Sequence, residues 1–120
     1  MAVRAIRGAT RLEADDLDEM REAVTELVTA MLERNGVEPD QIISALLTST
    51  PDLVCGFPAT AMRSMGFSDV PLMCASEIAV EGALTRVVRV MLHVESELPR
   101  GEIKHIFQRG AQVLREDLNR

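Results

Sequence analysis

Apolar positions recur along this chain with two periods, and each change of period marks an element. Residues Arg86 to Val94 (RVVRVMLHV) are β-branched and aliphatic with no Gly or Pro, which predicts a strand. Alternation puts Val88, Val90, Leu92 and Val94 on one face, and Val87, Arg89, Met91 and His93 on the other. Between Asp16 and Gly36 the period becomes helical: Leu17, Met20, Val24, Leu27, Val28, Met31 and Leu32 fall on one stripe. Asp16-x-x-Glu19 has the spacing of a capping box with Asp in the cap role, and Asn35-Gly36 supplies a stop. The expected helix has five turns and a length of roughly 30 Å.

The remaining elements are shorter. Ala2 to Ala9 predicts a first strand with Val3, Ala5 and Arg7 on one face. A turn at Glu38-Pro39-Asp40 leads to a buried strand from Ile42 to Ser49, which Thr50-Pro51-Asp52 breaks. Pro58 opens a short helix, Ala59 to Met65, that Gly66 ends. Val70 to Cys74 reads as a short strand with Glu77 just beyond it. Pro99-Arg100-Gly101 turns the chain into a strand from Ile103 to Phe107, and a last extended piece spans Ala111 to Arg115. The fold class is therefore α+β: a mixed five- to six-stranded sheet with one long helix and one short one. Without repeats or linkers, residues 1–120 read as a single domain whose residues 116–120 form a polar tail. One helix covers one face of the sheet; the other face needs a partner, which a small chain finds by pairing sheet with sheet across subunits.

Composition narrows the partners. A net charge of −6 argues against nucleic acid, which wants a basic footprint. Phe57, Phe67 and Phe107 are the only aromatic residues, too few for a single-strand stacking platform. Cys55 and Cys74 make neither a disulfide framework nor metal-ligand spacing, and no apolar run approaches a membrane span. The first residues lack a signal-peptide core, so a reduced cytoplasm is the expectation.

Arg89 is the first candidate for chemistry. It sits mid-strand among apolar neighbours, where an unpaired guanidinium costs several kcal/mol. Either its head snorkels to water or it meets an anion, from a protein carboxylate or from a ligand. His93 and His105 lack metal spacing and read as structural or exposed; Glu95 and Glu97 read as solvated. Nothing near Cys74 marks it as a nucleophile, and hydrolase and phosphate-loop motifs are absent. What remains is a set of arginines, Arg7, Arg63, Arg89 and Arg115, whose planar forks match carboxylates. The residues alone point to a small carboxylate bound between subunits.

At these residues the chain resembles the monofunctional chorismate mutases of the trimeric, pseudo-α/β-barrel class. The resemblance runs through Arg4-Ala5-Ile6-Arg7-Gly8-Ala9-Thr10, Thr50-Pro51-Asp52-Leu53, Phe57-Pro58-Ala59 and Val70-Pro71-Leu72. It continues through Cys74, Glu77, Arg86 to Met91, Lys104-His105-Ile106-Phe107 and Val113-Leu114-Arg115-x-Asp117-Leu118. It implies the Claisen rearrangement of chorismate to prephenate on the route to phenylalanine and tyrosine, without cofactor, metal or covalent intermediate. It also implies a homotrimer with sites at subunit interfaces. By position, Arg89 would approach the ether oxygen, Arg7 a carboxylate, and Glu77 and Cys74 the ring hydroxyl. Phe57, Ala59, Thr60, Arg63, Leu72, Met73, Leu114 and Arg115 would line or close the pocket.

Two positions depart from the family pattern. Phe107 stands where a substrate-binding Tyr is usual, and Thr60 where a Lys is common near the entrance. Both departures imply weaker capture of a dianion. The arginines also fit two other readings: a non-catalytic module that binds a small carboxylate, and an imine deaminase of the YjgF type.

Overall fold

The computed structural model describes residues 1–114; Arg115 and the polar tail lie outside the described residues. Five strands form one mixed sheet: β1 (Ala2–Arg11), β2 (Ile42–Ser49), β3 (Leu72–Ser76), β4 (Val87–Ser96) and β5 (Ile106–Phe107). Their spatial order is β3-β2-β4-β1-β5. β4 pairs antiparallel with both β1 and β2, while the outer strands β3 and β5 run parallel to β2 and β1. Helix α1 (Leu17–Arg34) packs on the sheet, and the short α2 (Ala59–Ser64) packs against α1.

The alternation in β4 separates two environments. Val88, Val90, Leu92 and Val94 are buried with Ile6 and Leu47 against Met20, Val24, Leu27, Val28 and Met31 of α1. Arg89, Met91 and His93 face the opposite side, which no helix among the described residues covers. Val3, Leu46 and Met73 lie exposed there, so the uncovered apolar face expected from the sequence is present. None of the helices described is long and apolar enough to cross a membrane.

α1 begins and ends where its caps place it. The Asp16 side chain accepts the Glu19 N–H at 2.8 Å. Glu19 does not return to Asp16; its carboxylate accepts the N–H groups of Glu13 and Ala14 instead, fixing the preceding loop. At the other end Gly36 takes a left-handed φ of 61°. Asn35, buried under the last turn, donates to Met31 O and Lys104 O and accepts the Lys104 N–H at 2.7 Å.

Three expectations need correction. The third strand starts at Leu72 rather than Val70: Pro71 contributes only its carbonyl to the ladder, accepting from the Ala45 N–H. The fifth strand is two residues long, not five, because Arg100–Glu102 forms a 3-10 turn and the Asn35 side chain takes the backbone groups of Lys104. Residues 111–114 form a tight helical turn, not an extended piece.

Gly8 of β1 lies close under the buried side chains of α1. A Cβ there would stand 2.5 Å from Met31 Sδ and 3.1 Å from Leu27 Cδ1, both on fully buried side chains. Gly8→Ala should therefore destabilise the protein by about 1–3 kcal/mol, as overpacking does in close-packed cores. Urea unfolding would report it; an unchanged midpoint would show that Met31 has room to swing aside.

Candidate active site

Arg89 is central to a concavity on the uncovered sheet face. Register places Ala9 beside Arg89 on one flank and Thr48 on the other, with Arg7 beside Met91 one step along. Phe107 pairs with Ala9, so β5 adds its ring to the same face. Arg7, Gly8, Ala9, Leu46, Thr48, Arg89, Val90, Met91 and Phe107 together line about 310 Å³. The volume suits a small organic acid, with two guanidinium groups against a largely apolar wall.

The anion that the mid-strand arginine requires is Glu77. Its Oε1 lies 3.1 Å from Arg89 Nε, and its Oε2 accepts the Thr48 hydroxyl at 2.7 Å. The ion pair is close but poorly aligned: Arg89 Nε is buried and its N–H has no well-directed acceptor. The guanidinium is thus balanced electrostatically while part of its donor capacity stays unused. Arg7 stands with its guanidinium carbon 6.0 Å from the centre of the Phe107 ring, a loose cation–π contact. Its backbone N–H donates to His105 Nδ1 at 2.9 Å, and the His93 ring meets Ser44 Oγ at 3.2 Å. Each histidine thus engages a ring nitrogen within the fold.

The other residues singled out from the sequence gather elsewhere in the chain. Phe57, exposed, and Cys74 border a second concavity of about 370 Å³ with Ser49, Leu53, Pro58, Ala75 and Ser76. Register turns the side chains of Leu72 and Cys74 toward the α1 side, where they pack on the core, and turns Met73 toward the Arg89 side. β3 is an edge strand, and its ladder to β2 uses Pro71 O and Glu77 N. By that parity the backbone N–H and C=O of Cys74 point along the open edge. On α2, Ala59 is buried in the core, Thr60 is half-buried and Arg63 is exposed. Leu114 is half-buried on the last described turn, and Arg115 falls outside the described residues. One subunit thus brings together Arg7, Arg89, Glu77 and Phe107, and keeps Phe57 and Cys74 around a different hollow.

Sequence reasoning missed Thr48. It shares a face with Leu46, opposite the buried Ala45 and Leu47, so the alternation of β2 could have found it. Its role as the Glu77 anchor depends on β3 lying next to β2, which no local signal encodes.

The chain matches the family model for chorismate mutase type I over residues 3–118. It belongs to that family. The chorismate mutase AroH of Bacillus subtilis is 38% identical over 120 residues, covering 99% of this chain and 94% of that protein. The AroH of Thermus thermophilus is 39% identical over 117 residues, with 97% and 96% covered. Among solved structures, a chorismate mutase from Clostridium thermocellum superposes with a TM-score of 0.89 at 44% identity, covering 91% of this chain and 97% of that one.

Within this type I chorismate mutase fold, the remaining thiol is kept inert. Burial and the Asp15 carboxylate push the Cys55 thiol up to about 11. Asp15 is itself held below the usual carboxylate range, first by the Cys55 thiol and then, against some desolvation, by the Cys55 and Val54 N–H groups. The pair ties the loop that carries Phe57 to the start of α1. Iodoacetamide at pH 8 should alkylate Cys55 far more slowly than a free thiol, whose thiolate fraction is on the order of a hundredfold larger. Peptide mass mapping would check it, and rapid labelling of Cys55 would contradict the assignment.

Proposed function

We propose that the groove beside Arg89 is where this protein carries out its family's reaction, the rearrangement of chorismate to prephenate. The observation that carries this reading is the pair of guanidinium groups, Arg7 and Arg89, facing one concavity with the Arg89 Nε–H unaligned to its carboxylate partner. Substrate and product are isomers: one ether C–O bond breaks as one C–C bond forms, and no atom leaves. No nucleophile or proton transfer is required. The protein's contribution is to hold a flexible dianion in its reactive shape and to match charge as it develops.

As the C–O bond stretches, the enolpyruvyl oxygen gains negative charge and the ring fragment positive character. Arg89 donates to that oxygen, so its attraction grows along the reaction coordinate. Arg7 holds a carboxylate. Glu77, anchored by Thr48, faces the ring and accepts from its hydroxyl, and the free edge of β3 offers the Cys74 main-chain N–H to the same group. The Cys74 thiol has no part, because it lies on the core side of the sheet.

The site is completed across a homotrimer in this reading. The hollow bordered by Phe57 and Cys74 on one subunit meets the Arg89 groove of its neighbour. Thr60, Arg63, Met73 and Leu114 then close the mouth, while Ala59 and Leu72 shape it from behind. The exposed Val3, Leu46 and Met73 are covered by the same assembly, which removes an apolar face that a monomer would leave in water. Two free thiols fit a reducing cytoplasm.

Loss of chorismate absorbance on adding the protein tests the activity. Arg89→Ala should lower kcat by at least a hundredfold, since a donor of this kind is worth about 3–4 kcal/mol of barrier. Turnover within tenfold of the parent would refute the assignment, and binding without turnover in the parent would favour the non-catalytic module. Phe107→Tyr restores a hydroxyl beside Arg7. A hydrogen bond to a charged group contributes about 1.5–3 kcal/mol, so KM should fall by about tenfold or more. Unchanged KM and kcat would mean that the hydroxyl has no substrate partner here.

A further inference from the structure

β5 contributes Phe107 to the groove wall, yet it is only two residues long and pairs with β1 at Gly8–Ile106 and Ala9–Phe107 alone. The next backbone tie is the Gln108 N–H to Ala9 O at 2.9 Å. The chain then leaves through two successive left-handed residues, Arg109 at φ 52° and Gly110 at φ 89°. Glycine adopts that conformation freely, but arginine does not. Something must hold Arg109 in it. Its Nε and Nη2 reach Glu26 Oε1 and Oε2 at 3.2 and 3.0 Å, and Nη2 also reaches Glu22 Oε1 at 3.2 Å. Glu22 and Glu26 are one turn apart on α1, a like-charge pair that repels without the arginine between them.

We infer that Arg109 is a positioning residue: its fork on Glu22 and Glu26 fixes where β5 ends, and so fixes the Phe107 ring and the returning turn that carries Leu114. The inference rests on the reading of the Arg89 groove as the substrate site. The fork locks Arg109 in the left-handed bend, the bend sets the direction in which residues 111–114 return, and α1 becomes the ruler against which the groove wall is measured. Glu26 is held below the usual carboxylate range, first by the Arg109 hydrogen bond, as expected of a pair engaged in the folded state. Arg109 touches no substrate in this scheme. Its effect is therefore on binding geometry and not on the charge that stabilises the transition state.

Arg109→Gln and the double variant Glu22→Gln/Glu26→Gln should each raise KM for chorismate by about three- to fivefold with kcat within about twofold. The triple variant should add nothing further, and Arg109→Lys, which keeps the charge but loses the fork, should recover part of the loss. Hydrogen exchange at the Gln108 amide supplies a readout independent of activity: it should quicken by a similar factor in Arg109→Gln. A KM change in Arg109→Gln that the double acidic variant does not reproduce overturns the proposal, as does unchanged exchange at Gln108. If the parent protein fails to consume chorismate, the active-site reading fails; faster exchange in the variants would still uphold the clasp, and unchanged exchange would sink it as well.

Discussion

A charged side chain in the middle of a β-sheet sets the terms for this molecule. Arg89 occupies a central strand whose other face is fully buried, so it cannot be moved without disturbing the core on which α1 rests. Its charge must be balanced in place, and Glu77 does that from just beyond the end of β3, with Thr48 of β2 fixing the carboxylate. Three neighbouring strands are committed to holding one ion pair. The pairing is close enough to offset much of the desolvation cost, but not aligned well enough to use the buried Nε–H. Such a pair balances the arginine without saturating it, which is the condition a binding cation needs.

The same one-sided sheet explains which features could be read locally. Where one face packs on α1, the alternation of β2 and β4 and the 3.6-residue stripe of α1 follow burial closely, so these elements and their faces were legible, and β2 matched to the residue. Elements at the sheet margins were not. β3 begins two residues later than Val70 because a proline can lend a carbonyl but no N–H. Lys104 is extended in sequence character, yet its backbone groups are taken by a side chain from the far end of α1, a partner distant in sequence. The turn over 111–114 follows two left-handed residues, and an arginine at the first of them gives no local warning.

Site legibility has the same boundary. Arg89 was conspicuous because it breaks an apolar strand, and Phe107 because it departs from a familiar pattern. That Glu77 is the acid beside Arg89 depends on the spatial order β3-β2-β4, where a later strand in sequence sits two places away. Cys74 shows the limit of naming a residue without its orientation. Within one chain it borders the Phe57 hollow and not the Arg89 groove, and the sheet parity points its thiol toward the core and its main-chain groups toward the open edge. In the proposed site, chemistry attributed to that residue would come from its backbone.

The two hollows within one chain bear on how such a small fold can hold a dianion. One holds both guanidinium groups; the other presents Phe57 beside the open edge of β3. Neither alone encloses a ligand, and among the described residues no helix covers the bare face of the sheet. In the homotrimer proposed above, enclosure would come from a second copy, and the exposed apolar side chains on the bare face would give that copy a reason to bind. Burial of the apolar face and exclusion of water from the groove would then be one event. Such an assembly would strengthen the electrostatic contacts that Arg7 and Arg89 make, because the local dielectric would fall as the neighbour arrives. On that proposal, quaternary structure would be the means by which a surface groove becomes an interior.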